Sequence, residues 1–319
     1  MPFDVKNNGN GSGHPRSQIW AIGGGKGGSG KSLITSSLGI CLSRAGKEVL
    51  LVDADLGGAN LHSCLGTPYP NVTLSDFIRK KVPDIKDVII NTGIPNLRLI
   101  SGAEDYLEVA NTSYTQKIRL LRQLISLDTE YILLDLGAGT AFNTLDFFLI
   151  ANDGIIIVTP EPTSIENAYR FIKSVFFRRL KRMINDARIR DIIVNAMDRK
   201  NELGIRTPVE LLNYVESIDN EIGQRFKNEV LKLRPKLIIN SVRTKGDINI
   251  GFSIKSTCLK YFGINISYVG HVEYDECVWQ SVRRRRPLLL EYPNSRPAKC
   301  IERIAKNIIM NKEIEEEHF

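Results

Sequence analysis

The sequence predicts an α/β fold, an open, doubly wound, mainly parallel sheet with helices on both faces and a helical insertion. Three observations predict it. Short aliphatic runs alternate along the chain with stretches of helical period, the pattern of parallel strands joined by helical crossovers. The first of these runs enters a glycine-rich segment that opens directly into a helix. Two later runs end in aspartate, where open parallel sheets gather their ligands.

Gln18-Ile19-Trp20-Ala21-Ile22 reads as the first buried strand. It leads into Gly25-Lys26-Gly27-Gly28-Ser29-Gly30-Lys31-Ser32, which satisfies the phosphate-loop pattern G-x-x-x-x-G-K-[ST]. From Ser32 onward Ile34, Leu38, Cys41 and Leu42 share one helical face, and Gly46 stops the helix. Such a loop turns backbone N–H groups around a polyphosphate, and the helix N-terminus adds positive charge. The pattern therefore predicts that Gly25, Gly27, Gly28, Ser29 and Gly30 cradle phosphates, that Lys31 bridges the β- and γ-phosphates, and that Ser32 binds Mg²⁺.

Glu48 to Val52 is a second strand, ending in Asp53-Ala54-Asp55. Thr73 to Ile78 reads as a short capped helix, Leu97 to Ile100 as a strand and Ser113 to Leu127 as an amphipathic helix. Tyr131 to Asp135 is a strand ending in an acid and followed by Leu136-Gly137-Ala138-Gly139-Thr140. That is the Walker B arrangement, in which Asp135 holds Mg²⁺. Gly154 to Thr159 is the next strand, followed by Pro160-Glu161-Pro162-Thr163-Ser164 and a helix to about Ala187. That helix carries a basic stripe including Arg178, Lys181 and Arg182.

Residues from about 186 to 235 read as a mainly helical insertion. Asp191 to Asn195 suits a strand by composition and a helix by spacing, so both readings stand here. Leu237 to Asn240 and Ile266 to Gly270 are later strands. Val278 to Arg286 reads as a helix ending in Arg283-Arg284-Arg285-Arg286, and Lys299 to Met310 as the last core-packing helix. The arginine run suits either a helix dipole or an anionic partner.

Composition narrows the function classes. With 319 residues and 42% hydrophobic content the chain can bury a full core. It contains no apolar run long enough to cross a membrane. Met1 to Ser17 is polar, lacks the apolar core of a secretory signal and reads as a disordered arm. Five scattered cysteines fit a reducing, cytoplasmic setting better than a disulfide framework, and no C-x-x-C pair is present. The net charge is +7, while Lys312 to Phe319 forms an acidic tail of −3. The division expected is an arm over 1–17, a phosphate-loop domain over 18–311 with the helical insertion at about 186–235, and the tail over 312–319.

Lys26, standing directly after the first motif glycine, resembles the second lysine of the deviant loop K-G-G-x-G-K-[ST] in the MinD/ParA family of dimeric ATPases. The Asp53/Asp55 pair resembles that family's switch I, and Pro160 to Ser164 its P-E-P-T turn. Among the branches of the family, the later motifs look most like the flagellar-number regulators FlhG/FleN. The arm, however, lacks a D-Q-A-type helix, and the acidic tail replaces a basic membrane anchor, so no membrane-targeting segment is evident.

The resemblance implies a cytoplasmic ATPase that cycles between ATP and ADP with Mg²⁺ and forms an ATP-dependent homodimer. In that dimer Lys26 reaches the partner's phosphates, as an arginine finger does in trans. It further implies that Asp55 orients the attacking water, that Asp53 lies near Mg²⁺ and that Asn240 contacts adenine. Asn195 is the rival for that contact if the insertion reading fails. The role implied is a slow, partner-stimulated switch that positions other cellular components, with the activating protein or cargo unidentified. Three alternatives stay open: a DNA-bound partition ATPase using Arg178–Arg182 and Arg283–Arg286, a metabolic or metallocluster ATPase, and a scaffold that binds nucleotide without hydrolysis.

Overall fold

A computed structural model describes residues 17–55, 58–102, 114–184, 187–197 and 204–316. The N-terminal arm before Ser17 lies outside the described residues. The sheet has eight strands in the order β3-β4-β2-β5-β1-β6-β7-β8. They are β1 Gln18–Gly23, β2 Val49–Ala54, β3 Ile89–Asn91, β4 Leu97–Ile100, β5 Tyr131–Leu136, β6 Asp153–Val158, β7 Lys236–Val242 and β8 Ser267–Glu273. All neighbours pair in parallel except the short edge strand β3, which runs antiparallel to β4.

Alternation along the strands divides the core into two layers. Ile19 and Ala21 of β1 join one cluster, and Trp20 and Ile22 join the other. In β6, Ile156 and Val158 likewise take the first face while Ile155 and Ile157 take the second. Strands covered on both faces must be apolar throughout, which is why these read as unbroken aliphatic runs.

The second face is covered by α1 (Lys31–Arg44), α2 (Leu61–Leu65), α12 (Leu288–Glu291) and α13 (Arg296–Ile309). The first face carries α3 (Leu74–Ile78), α4 (Tyr114–Ile125), α5 (Phe142–Ile150), α6 (Pro162–Lys181) and α10 (Lys245–Phe262). The expected insertion is helical: α7 (Ala187–Met197), α8 (Pro208–Ile218) and α9 (Asn220–Leu231) separate α6 from β7. Ile189 and Ile193, one turn apart, are both buried, so the helical period of 191–195 prevails over its strand-like composition. Thr207 and Glu210 form a capping box and Pro208 occupies the first turn, together setting the start of α8.

α11 (Glu276–Arg284) stops before its arginine run is complete, because Arg285 adopts left-handed φ of 51° at the C-cap. α6 ends at Lys181, short of the expected 187, and α13 begins at Arg296 behind the Ser295 cap. The acidic tail is partly tied down. Glu313 pairs with Lys255, and the Ile314 N–H donates to the Tyr268 carbonyl at 2.9 Å on the outer strand. Among the described residues no helix is long and apolar enough to cross a membrane.

Candidate functional site

β1 lies between β5 and β6, and the chain leaves it toward β2 on one side while β6 leads to β7 on the other. The glycine loop therefore sits at a topological switch point, where doubly wound sheets open a crevice. Gly30 caps α1 in a left-handed conformation, φ 91°, and no side chain caps the first turn. The N–H groups there are thus available to an anion. Gly25 is pressed against α6, where a Cβ would stand 2.1 Å from the Asn167 carbonyl oxygen.

Lys31 is buried and its ammonium donates to the Lys26 carbonyl at 3.2 Å. Burial pushes the Lys31 ammonium below its ordinary range, while the charges of Asp135 and Asp55 pull it back up. The lysine thus stands beside two acids and above a loop shaped for phosphate.

Asp53 and Asp135 are register neighbours on β2 and β5, and both are buried. Asp53 accepts the N–H groups of Leu61 at 3.0 Å and Asp55 at 3.2 Å. The Thr35 hydroxyl donates to Asp135 at 3.2 Å. Burial raises Asp135 to about 6, against hydrogen bonds from Ser32 and Thr35 and the charge of Lys31. Burial and the nearby Asp135 charge raise Asp53 well above the usual carboxylate range. Two desolvated carboxylates beside a hydroxyl form a hard oxygen set that a divalent cation would stabilise. Among the described residues no three His, Cys, Asp or Glu side chains converge on one point. A cation here would complete its shell with phosphate and water, as Mg²⁺ does.

A stability prediction follows from Asp135. Its pKa is higher folded than unfolded, so the folded state binds more protons between about pH 4 and pH 6 and stability falls as pH rises through that window. In Mg²⁺- and nucleotide-free buffer, Asp135→Asn should therefore gain stability on the order of 2 kcal/mol at neutral pH. The gain should grow from pH 4 to pH 6 and then level off. Thermal melts of both proteins across that range check it.

Asp55 follows β2 and lies over the turn after β5, where a Cβ on Gly137 would stand 2.9 Å from Asp55 Oδ1. Lys26 pairs with Glu161, in the turn at 160–164. The structure thus brings Lys26, Lys31, Ser32, Asp53, Asp55 and Asp135 together at the C-terminal ends of the interior strands β1, β2 and β5. Asn240 of β7 reaches the same end of the sheet but is engaged by the loop. Its amide donates to the Ser29 carbonyl at 2.8 Å, and its Oδ1 accepts the Ser241 N–H at 2.9 Å. Asn195 is inside helix α7 rather than at a strand end, which removes it as the rival.

Three contributors escaped the sequence reading. Thr35, four residues after Lys31 on α1, was detectable from helical spacing. Glu161 lies in the 160–164 turn that the sequence marks, but its pairing with the loop arises only through the fold, and Asn167 carries no local mark at all.

The basic clusters divide. Arg178 grips Asp146 with two bonds of 2.8 and 2.9 Å, Arg182 joins the same carboxylate, and Arg179 pairs with Glu229. The arginines at 178–182, the alternative nucleic-acid surface, are thus partly neutralised by acids of α5 and α9. Arg283–Arg286 remains at the surface: Arg283 stacks over Trp279, 5.1 Å from the ring centroid, and Arg284 and Arg286 each approach Glu291 at 3.2 Å.

Comparison with known proteins agrees with this geometry. Residues 20–288 match the family described as CobQ/CobB/MinD/ParA nucleotide binding domain. The chain is 26% identical to the antiactivator FleN of Pseudomonas aeruginosa over 300 residues, covering 93% of this chain and 88% of that protein. It is 25% identical to the septum site-determining protein MinD of Synechocystis over 272 residues, covering 84% and 98%. The fold superposes on MinD of Pyrococcus horikoshii, solved with Mg-ADP, with a TM-score of 0.63 at 20% identity, covering 92% of this chain and 96% of that one. With more than four-fifths of its length inside that match, carrying the glycine loop and both acid-ended strands, the chain belongs to the MinD/ParA family of P-loop ATPases.

Proposed function

We propose that the chain is an ATP-dependent dimerising ATPase that acts as a switch, positioning or regulating other components of the cytoplasm. The observation that carries this reading is the gathering of Lys26, Lys31, Asp55 and Asp135 at one crevice, with Lys26 half exposed at its rim. One lysine suffices for the chain's own phosphates, so a second at the rim is placed for a neighbour.

On this reading the N–H groups of residues 25–32 bind the ATP phosphates, and Ser32, Asp135 and Asp53 hold Mg²⁺. The ion would neutralise charge developing between the β- and γ-phosphates. Asp55 orients the attacking water from above Gly137. Asn240 fixes the shape of the loop through Ser29 and lies beside the space for the base. Hydrolysis to ADP removes the group that Lys26 of each copy grips, and the pair separates. Turnover is slow until an activating protein completes the site. FleN is named an antiactivator and MinD a septum site-determining protein, and a regulatory or positioning role here follows by family.

The test is the mass in solution with Mg²⁺ and either ATP analogue or ADP. Two chains with the analogue and one with ADP support the reading, and one chain with both nucleotides bound refutes it. The exposed arginines at 283–286 favour a second reading, ATP-dependent binding to DNA phosphates. Binding to random-sequence duplex that appears only with ATP and weakens steeply with salt would support it. Absence of binding at low salt would remove it.

A further inference from the structure

A cavity of about 700 Å³ opens at the end of the sheet away from the glycine loop, where β1 and β6 begin and α5, α6 and α9 meet. That volume lies within the range of small-molecule sites. Its floor is aliphatic and aromatic, including Ile19, Phe148, Ile156, Ile172 and Val175. Its mouth is basic: Arg179, Arg182, Lys232 and Arg234 line it, with Glu229 the one acid among its lining residues.

The charges there do not balance. Arg179 and Lys232 share Glu229, and Arg178 and Arg182 share Asp146. Among the described lining residues four cations, Arg179, Arg182, Lys232 and Arg234, stand with one carboxylate, Glu229. The Arg179 Nε is buried without a hydrogen-bond partner. Burial pushes Arg182 downward, with Asp146 pulling it up and Arg178 and Arg179 repelling it. Cations crowded and partly desolvated in this way are stabilised by an added anion.

We propose that this cavity is a second ligand site, taking a small amphipathic anion whose hydrocarbon body fills the aliphatic floor and whose carboxylate or phosphate head meets the arginines. The chain's own termini suit it poorly. The arm joins at Ser17, which lines the cavity, but its one acid, Asp4, is outnumbered by Lys6 and Arg16, so a basic mouth does not favour it. The acidic tail is held elsewhere, by Lys255 and the outer strand.

Calorimetry of the full-length chain with monomeric dodecanoate tests the proposal, with dodecanol as the uncharged control and phosphatidylglycerol vesicles as a separate arm. One dodecanoate per chain is expected, with dodecanol at least about tenfold weaker because it lacks the charge-assisted bonds. Val175→Phe, which fills the floor, should remove binding while ADP affinity stays unchanged. The double change Lys232→Ala and Arg234→Ala should weaken dodecanoate about tenfold and spare dodecanol; it serves as the deciding variant if Val175→Phe fails to fold. The proposal is overturned by absent saturation, by equal binding of the alcohol, by variants that bind as the parent does, or by association with vesicles alone.

Discussion

Alanine at Asp55 will abolish turnover and leave ATP bound. Asp55 projects over Gly137, close enough for its charge to act on Lys31. It is only partly buried, whereas Asp53 and Asp135 are fully buried. On the proposed reading its carboxylate, open to solvent, orients the water, and the two buried acids hold the cation. Removing a water-orienting group typically lowers the chemical step by about 10²- to 10³-fold. The phosphates, gripped by backbone N–H groups and Lys31, should retain their affinity within about threefold. Single-turnover hydrolysis and equilibrium ATP binding on the same preparation separate these effects. Normal turnover in Asp55→Ala would place the water elsewhere. The variant should also accumulate as the ATP-bound pair, since the pair cannot discharge.

The second large effect belongs to Lys26. Alanine there should leave the ATP affinity of one isolated chain nearly intact, because Lys31 and the loop serve the chain's own phosphates. Pairing and hydrolysis should fail together. A cation completing a phosphate site in trans contributes about 10³-fold or more to turnover, and a close charge pair near a protein surface is worth about 4 kcal/mol before desolvation. Light scattering with an ATP analogue should therefore find single chains, and hydrolysis should drop at least about 100-fold. The same change also removes the Lys26–Glu161 ion pair. Glu161→Gln controls for that loss, since it should leave ATP-dependent pairing in place.

The site was largely legible because its parts are local. A phosphate loop needs a strand, its glycines and a helix start in sequence, and Gln18 to Ser32 contains all three. Asp53 and Asp135 were visible as acids ending aliphatic runs, and the fold sets them in register on adjacent strands. What escaped depends on distant partners. Arg178 and Arg182 read only as part of a basic stripe, because Asp146, more than thirty residues earlier, gives no sign of the pairing until α5 packs on α6. Asn240 read as a base contact by resemblance, and only the structure reveals its bond to Ser29.

The fold shows the same division. β3 is three residues long and owes its existence to pairing with β4, so the weak pattern before Asn96 concealed it. α5 ends in the apolar run Phe147 to Ile150 and gives little periodic signal, while the Thr244–Asp247 capping box at the start of α10 passed unread. The stretch at 191–195 supports two periods at once, and burial of Ile193 against its neighbours decides between them.

The account rests on Lys26 acting across a pair of chains, and mixing two inactive variants tests that directly. In a mixed pair of Lys26→Ala and Asp55→Ala chains, one crevice keeps its own Asp55 and receives Lys26 from the partner, while the other has neither. Mixing the chains before ATP is added should therefore raise turnover well above that of either variant alone, with about a quarter of the parental rate as the ceiling that random pairing would give. If Lys26 serves its own chain, no mixed site is complete, and turnover will stay at the level of the separate variants.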